Sequence, residues 1–299
     1  MAGMTRRGIL LFLAMSVVWG IPYLFIRVAV AEVSPAFLVL ARTALGAAIL
    51  LPLAFARVDL RPILARWRWL LAFAAIEIAL PWVMLGSAEQ HLTSSLTALL
   101  IAGVPLVATL FALATGAAER VPARAWLGLL IGLLGVAAIV GSDLGSSDPL
   151  AFVQVGIVVV CYAIGPAILA RRLGGLPAVG VMAMSLAMCA LVYVPLAAVQ
   201  WPTTPPSPAV VAAIVILAVI CTAAGFLVFA ALIAEIGPVR TMVITYANPA
   251  VAAVLGVLVL GEPLTAAMVV GFGLVIAGST LATRRDNRDP SPVVMPAEA

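Results

Sequence analysis

Long apolar stretches separated by short polar links run along almost the whole chain. A helix that crosses a bilayer needs about 20 mostly apolar residues, and ten stretches meet this requirement. They are residues 8–28, 35–56, 68–87, 93–115, 123–141, 150–170, 177–200, 208–234, 239–260 and 264–283. The pattern predicts an all-α integral membrane protein with ten transmembrane helices and no soluble domain. The polar residues 284–299, which contain three prolines, are predicted to form a disordered tail.

The composition agrees with a chain that is surrounded by lipid. Hydrophobic residues make up 65% of the sequence, charged residues only 9%, and the mean hydropathy is +1.25. A soluble domain carries about a quarter of its residues as charged side chains. The absence of lysine excludes a P-loop of the usual kind. With one histidine, His91, and three cysteines inside apolar runs, we expect no metal site, no disulfide framework and no cofactor.

The arginines predict the orientation in the membrane. Fourteen of the sixteen fall before the first stretch, after the last, or in alternate links and the first two residues of the stretches that follow them. They are Arg6, Arg7, Arg57, Arg61, Arg66, Arg68, Arg120, Arg124, Arg171, Arg172, Arg240, Arg284, Arg285 and Arg288. The positive-inside rule then places both termini in the cytoplasm. We interpret the basic clusters as topology signals, not as a nucleic-acid-binding surface.

The sequence contains an internal duplication with a nearly constant offset. Trp19 matches Tyr162 at a shift of 143 positions, and Pro105 matches Pro249 at a shift of 144. The same shift, within one position, relates Pro35 to Pro177, Thr97 to Thr241, Glu119 to Glu262, Gly128 to Gly271, and Gly135 to Gly278. Such periodicity indicates two copies of one structural unit.

The duplication predicts two units, residues 1–145 and 146–283, followed by the tail at 284–299. Each unit holds five stretches, an odd number, so the two copies enter the membrane in opposite directions. Inverted repeats of this kind build secondary transporters, whose substrate site lies near the midplane between the halves. This architecture favours a transporter that works by alternating access around a central cavity.

These features resemble a known family. The five-plus-five spans, Trp19-Gly20, the paired prolines Pro105 and Pro249, and Gly261-Glu262 ahead of a glycine-rich helix are similar to the drug/metabolite transporter superfamily. Within it the chain resembles the EamA-type exporters, including bacterial exporters of aromatic amino acids. The first copy departs from the pattern, because Ala118-Glu119 stands where the second has Gly261-Glu262.

The resemblance implies an arrangement of helices and a function. Helices 1, 3, 4, 6, 8 and 9 would surround a central cavity, with helices 5 and 10 at the periphery. The chain would lie in the bacterial cytoplasmic membrane and export small organic metabolites, amino acids with aromatic or apolar side chains first among them. An exporter of several drugs or hydrophobic cations is the alternative. The scarcity of buried acids, bases and polar rings disfavours a membrane enzyme or a channel.

Two charged residues fall deep inside the predicted spans. Glu77 lies near the centre of the third stretch and Arg42 lies within the second, at similar estimated depths. A charge at that depth costs about 2.5–3.5 kcal/mol or more, so it is expected to face the protein interior. The positions equivalent to both in the second half are uncharged. We therefore predict either a structural ion pair or a coupling role in which Glu77 takes up a proton or binds an amine.

Aromatic and polar residues supply the other candidates for the substrate site. Aromatic side chains within the stretches that the resemblance places around the cavity are Trp19, Tyr23, Trp82, Tyr162, Phe226, Phe229 and Tyr246. As a set they suit an apolar or aromatic solute, although core packing is an alternative role for each. Prolines inside spans free backbone carbonyls, and here they are Pro22, Pro81, Pro105, Pro166 and Pro249. Thr97, Thr245 and Asn248 add polar side chains nearby.

Small residues indicate where helices approach closely. Gly128 with Gly132, and Ala267 with Gly271, form small-xxx-small patterns, which we interpret as packing of the fifth helix against the tenth. A homodimer through these faces is the alternative to a monomer. Glu119 and Glu262 each precede a helix and suit its N-terminal dipole. The expected partners are a small-molecule substrate and the lipid bilayer, with no nucleic acid.

Overall fold

The computed structural model describes residues 5–114, 123–141, 148–236, 241 and 244–283, and every regular element within them is a helix. The long helices follow in order: α1 (Arg6–Val18 and Pro22–Ala29), α2 (Pro35–Arg57), α3 (Trp67–Phe73, a π-helical Ala74–Ala79, and Leu80–Ala88), α4 (Ser94–Ile101 and Val104–Ala114), α5 (Ala123–Gly141), α6 (Pro149–Arg172), α7 (Ala178–Val199), α8 (Pro208–Ile216, a π-helical Leu217–Ala224, and Gly225–Ile236), α9 (Ile244–Leu260) and α10 (Ala266–Thr283). A short helix, Arg61–Ala65, precedes α3.

The predicted all-α membrane architecture is confirmed in its main features. In the part of the chain that the structure describes, α1 to α8 are long and apolar enough to cross a membrane. The last two spans are apolar but shorter, so the count of ten remains a prediction. The predicted tail at 284–299 lies outside the described residues, as do Glu119, Arg120 and Arg240.

Polar residues in the links mark where the helices begin. The hydroxyls of Ser34, Thr93 and Ser207 accept hydrogen bonds from backbone N–H groups in the first turns of α2, α4 and α8. Such caps satisfy donors that have no partner within the helix. Proline follows directly after Ser34 and Ser207, a position where its missing N–H costs nothing.

Three of the five predicted proline sites coincide with helix irregularities. The chain turns between Val18 and Pro22 in α1, and α4 is interrupted just before Pro105. In α3 the π-helical turns end just before Pro81. Pro166 and Pro249, in contrast, lie inside continuous helices. A proline therefore does not break every span that contains one.

The two π-helical segments occupy equivalent positions in the two halves. They begin at Ala74 and Leu217, which are 143 positions apart, the same shift that relates the sequence pairs. In α8 the Thr222 hydroxyl donates to the Leu217 carbonyl at 2.8 Å, which satisfies an acceptor in the widened turn. Because π-helical turns are rare and often lie at functional sites, both segments are candidates for the location of the site.

Close contact between α5 and α10 confirms the predicted role of the small residues. A β-carbon added at Gly128 would lie 2.6 Å from the Gly278 carbonyl oxygen, and one added at Gly135 would lie 2.6 Å from that of Gly271. Glycine is required at these positions because the two backbones touch. The same four glycines form two of the pairs that the internal duplication relates, Gly128 with Gly271 and Gly135 with Gly278.

The apolar core consists of two large clusters and two small ones, and each large cluster contains residues of both halves. We call the end formed by the links at 30–34, 89–93, 200–207 and 261–265 the arginine-poor end, and the opposite one the arginine-rich end. Near the arginine-poor end, one cluster of buried side chains joins nine spans from both halves, all except α7. A second large cluster joins α2 and α3 of the first half with α7 and α8 of the second, and extends to the arginine-rich end through Leu60, Ile63 and Leu173. Two small clusters, centred on Met15 and on Leu106, also lie nearer the arginine-rich end. The two halves therefore meet at both ends, and the cluster at the arginine-poor end joins the larger number of helices.

Candidate functional site

Arg42 is held in place by residues from both halves. It is buried in α2, and its Nε donates a hydrogen bond to the Thr222 hydroxyl of α8 at 2.9 Å. Its guanidinium carbon lies 3.6 Å from the centre of the Trp82 ring in α3. A desolvated cation over a tryptophan face is stabilised by about 2 kcal/mol. These contacts fix the guanidinium while using only one of its three nitrogens.

Glu77 lies in the π-helical part of α3 and faces α6. Its Oε2 atom is buried and has no hydrogen-bond partner among the described residues. A β-carbon at Gly165 of α6 would overlap this oxygen, so a side chain here would force the carboxylate out of this position. An unpartnered carboxylate oxygen inside a membrane helix is costly. Such an atom is a candidate for binding a proton or a cationic group.

The predicted ion pair between Glu77 and Arg42 is absent, and that part of the prediction is wrong. Among the described residues, the ion pair with oppositely charged atoms within 4.0 Å joins Arg7 and Glu235, and it does not involve Glu77 or Arg42. Arg42 stacks instead on Trp82, five residues beyond Glu77, which corresponds to roughly 7 Å along a helix. The estimated depths alone did not reveal that Trp82 and Thr222 would hold the guanidinium.

A second aromatic group joins α1 and α8. The Trp19 ring lies 4.6 Å from that of Phe229 and 6.0 Å from that of Phe226, centre to centre. Gly225 allows this approach, because a β-carbon there would lie 3.0 Å from the Trp19 indole nitrogen. Such aromatic pairs contribute about 0.5–1.5 kcal/mol beyond the area they bury. The group forms part of the wall between the two halves.

The internal duplication relates this group to the surroundings of Arg42. Tyr162, the counterpart of Trp19, packs against the cluster that contains Trp82, and Trp82 is the counterpart of Gly225. Tyr162 and Tyr23 also lie within electrostatic range of Arg42. The first half therefore supplies the ring of Trp82 and the charge of Arg42. At the equivalent positions the second half has Gly225 and an uncharged residue.

The predicted residues of α4 and α9 have structural contacts. With its amide nitrogen turned toward them, Asn248 donates to the carbonyls of Ser16 at 3.3 Å and Ile244 at 3.1 Å, which ties α9 to α1. Thr97 is fully buried among the apolar residues of the arginine-poor end. The carbonyl of Pro105 accepts a hydrogen bond from the Thr109 hydroxyl at 2.8 Å.

A cleft lies at the arginine-rich end of the molecule. It has a volume of about 150 Å³ and is lined by residues of α3, α4 and α6, among them Trp69, Phe111 and Ile168. Ile168 lies one helical turn from Gly165, the residue that faces Glu77.

Comparison with known protein families identifies the family of this chain. The model of the EamA-like transporter family matches twice, at residues 6–141 and 151–284. The chain belongs to the EamA-like transporter family. Twelve chains of solved structures are also similar. One, titled only "Crystal structure of protein", is 20% identical, with a TM-score of 0.66 over 92% of this chain and 96% of its own. No curated protein matches the chain.

As an EamA-like transporter, the protein is a multi-pass membrane protein that moves small molecules. The two matched regions follow the duplication seen in the sequence. Of the predicted site residues, the structure brings together Arg42, Trp82, Tyr162 and Tyr23, with Glu77 one turn or more away along α3. Thr245 and Tyr246 are half-buried on α9.

Several residues of this EamA-like transporter were not predicted from the sequence. Thr222 and Gly165 are small and ordinary in an apolar helix, and only their contacts with Arg42 and Glu77 reveal them. Glu262 was expected to act on the helix it precedes. Instead its carboxylate accepts hydrogen bonds from the backbone N–H groups of Ser94 at 2.8 Å and Ser95 at 2.9 Å. It therefore caps α4 of the other half.

Proposed function

We propose that this EamA-like transporter exports zwitterionic metabolites, in particular amino acids with aromatic or apolar side chains. The observation that carries the proposal is the presence of two opposite charges within the spans, Arg42 and Glu77, that do not pair with each other. A zwitterion offers a partner to each of them. Both charges belong to the first half, and Thr222 of the second half helps to hold one.

Arg42 suits the carboxylate of such a solute. Its Nε atom and one face of its guanidinium are occupied by Thr222 and Trp82. Among the described residues no acceptor contacts the two terminal nitrogens. These nitrogens form the edge with which arginine binds a carboxylate through two parallel hydrogen bonds. The two contacts hold this edge in one orientation before a solute arrives.

Glu77 suits the ammonium group of the same solute. Its unpartnered Oε2 faces α6, roughly 7 Å along α3 from the residue that stacks on Arg42. A charge-assisted hydrogen bond at each end, of about 2.8 Å, lets one small zwitterion reach both groups. The aromatic rings of Tyr162, Trp19 and Phe229 are available for the solute's apolar side chain.

We propose that the described conformation is closed at the arginine-poor end and gives access from the arginine-rich end. The buried cluster that joins nine helices near the arginine-poor end supports this assignment, as does the cleft at the arginine-rich end. The positive-inside rule then makes the arginine-rich end cytoplasmic, with both termini inside and all ten spans crossing a bacterial cytoplasmic membrane. We propose a monomer, because the glycine faces of α5 and α10 pack on each other.

An exporter of hydrophobic cations is the second candidate. Glu77, which has Tyr162 within electrostatic range, favours it, since a carboxylate with an aromatic neighbour also binds organic amines. In that case Arg42 would have only a structural role. The two candidates differ in whether the solute needs a carboxylate.

Counterflow into proteoliposomes separates these candidates. The panel contains phenylalanine, phenethylamine, which lacks the carboxylate, and 3-phenylpropionate, which lacks the ammonium group. We expect saturable counterflow of phenylalanine alone. Uptake of phenethylamine at an equal rate would favour the cation exporter, and no uptake of any of the three would contradict the proposal.

Glu77→Gln provides the matching test of the carboxylate. We expect it to abolish counterflow of phenylalanine, because the neutral amide binds ammonium weakly. If exchange persists while dependence on a pH gradient is lost, Glu77 couples transport to protons instead and the proposed ammonium contact is wrong.

A further inference from the structure

A second buried carboxylate lies at the arginine-poor end, outside the proposed substrate site. Glu89 directly follows the last residue of α3, Ala88, and its side chain is fully buried. Both of its carboxylate oxygens lack a hydrogen-bond partner among the described residues. Buried carboxylates are normally paired or hydrogen-bonded when ionised, because removing the charge from water costs several kcal/mol.

The charged groups around Glu89 do not compensate it. Those within electrostatic range are Arg27 and Tyr23 of α1 and Glu262 of the link at 261–265. Arg27 donates its hydrogen bond to the backbone carbonyl of Glu89, not to the carboxylate. Glu262 is a second carboxylate, and its hydrogen bonds come from Ser94 and Ser95. Two carboxylates therefore share one nearby cation, and only Glu262 has its own donors.

From this arrangement we infer that Glu89 binds a proton when the arginine-poor end is closed and releases it when that end opens to water. The residues that surround Glu89 belong to α1, to α3 and to the link between α9 and α10, so both halves contribute to its burial. Opening this end must separate some of them and hydrate the carboxylate. The inference does not depend on the identity of the solute.

Electrostatics gives the direction of the effect. Burial, and then the charge of Glu262, raise the pKa of Glu89 well above its usual value, and Arg27 opposes this only in part. Closing the end therefore takes up one proton. The stabilisation of the closed form is complete below the pKa of the open or unfolded form, and it is lost as the pH rises through the raised pKa. Acid closes the arginine-poor end, and alkali favours its opening.

Thermal unfolding of the purified protein in detergent gives the first test. Glutamine imitates a protonated glutamate in size and charge, so we expect Glu89→Gln to unfold at the same temperature as the wild type in acid. As the pH rises, the wild type should lose stability relative to the variant. Asp148→Asn is the control, because Asp148 is an exposed carboxylate at the same end that caps α6, and asparagine caps equally well.

A cysteine reporter gives the second test. Ala213→Cys, in a background without the three native cysteines, places a thiol in the closed core of the arginine-poor end. We expect its alkylation by a water-soluble maleimide, corrected for thiolate content, to rise with pH by up to about tenfold per pH unit. With Glu89→Gln the rate should be low and independent of pH, and with Asp148→Asn it should follow the wild type.

Two results would overturn the inference. If Glu89→Gln is less stable than the wild type at alkaline pH, the carboxylate is ionised and its charge is needed. If the variant keeps the full pH dependence of alkylation, another group is responsible. Neither measurement requires transport, so both outcomes are independent of the proposed substrate.

Discussion

The guanidinium of Arg42 lies 3.6 Å from the centre of the Trp82 ring, while the carboxylate of Glu77, on the same helix as Trp82, lies against Gly165 of α6. The two charges of the first half are therefore separated by the way that α2, α3 and α8 meet. Trp82 and Thr222 compensate the arginine in place of a carboxylate. This leaves both charged groups available to a solute, which is the basis of the proposed function.

Removal of the Trp82 ring should release Arg42. We expect Trp82→Leu to lower the free energy of unfolding by about 2 kcal/mol or more, because a desolvated cation–π contact and a buried ring are both lost. Counterflow should fall at the same time. Trp69→Leu is the matched control: Arg172 stacks on that ring at 4.3 Å, but the tryptophan is 40% exposed. A large effect in the control alone would contradict this account.

The Thr222 hydroxyl should matter more than its size suggests. Thr222→Val keeps the shape but removes the acceptor of Arg42 and the donor to Leu217. We expect a loss of about 1–3 kcal/mol in unfolding free energy, since buried polar groups are left unpaired. Thr222→Ser, which retains the hydroxyl, should recover most of it. Equal stability of the valine and serine variants, measured by thermal unfolding, would argue against the contact.

Gly165 should be intolerant of a side chain although it lies in a helix. Alanine there would overlap the carboxylate of Glu77. We therefore expect Gly165→Ala to impair counterflow strongly. Gly156→Ala, in the same helix, meets nothing within 4 Å and should be neutral or stabilising by up to about 1 kcal/mol. Similar counterflow in the two variants would show that Glu77 does not occupy the described position.

The contact between α5 and α10 should depend on glycine in the same way. A β-carbon at Gly278 would collide with the backbone of α5 at Gly128 and Gly132. We expect Gly278→Ala to reduce thermal stability by separating the two helices. Gly273→Ala in α10 has open space and serves as the control. Unchanged stability of Gly278→Ala would mean that the helices are not packed this closely.

The sequence predicted the membrane architecture, the duplication and the packing of α5 on α10 because these follow from local composition and spacing. Gly128 and Gly271, for example, belong to small-xxx-small patterns, which are typical of helices that pack closely, and both lie against the backbone of the other helix. The ion pair was predicted wrongly because depth along a helix does not specify rotation around it. The π-helical turns of α3 precede Trp82, and only tertiary contacts show that Thr222 is the partner of Arg42.

The role of Glu262 was harder to predict for a similar reason. Its position before α10 predicted that it acts at the N-terminus of a helix, and it does cap one. The helix that it caps is α4, 168 positions away from it in the chain, at Ser94. Local spacing does not specify contacts between the inverted halves. The sequence alone therefore did not indicate that Glu262 would cap α4 and not α10.

The most direct test of the proposed site is the ratio of counterflow rates for phenylalanine and phenylalaninamide, measured for the wild type and for Arg42→Gln. The amide keeps the ammonium group and the ring but lacks the carboxylate. We expect the wild type to prefer phenylalanine by about tenfold or more, since a charge-assisted pair of hydrogen bonds to arginine contributes about 1.5–3 kcal/mol. Arg42→Gln should lose this preference. Equal transport of both solutes by the wild type, or an unchanged preference in the variant, would contradict a carboxylate-binding role for Arg42.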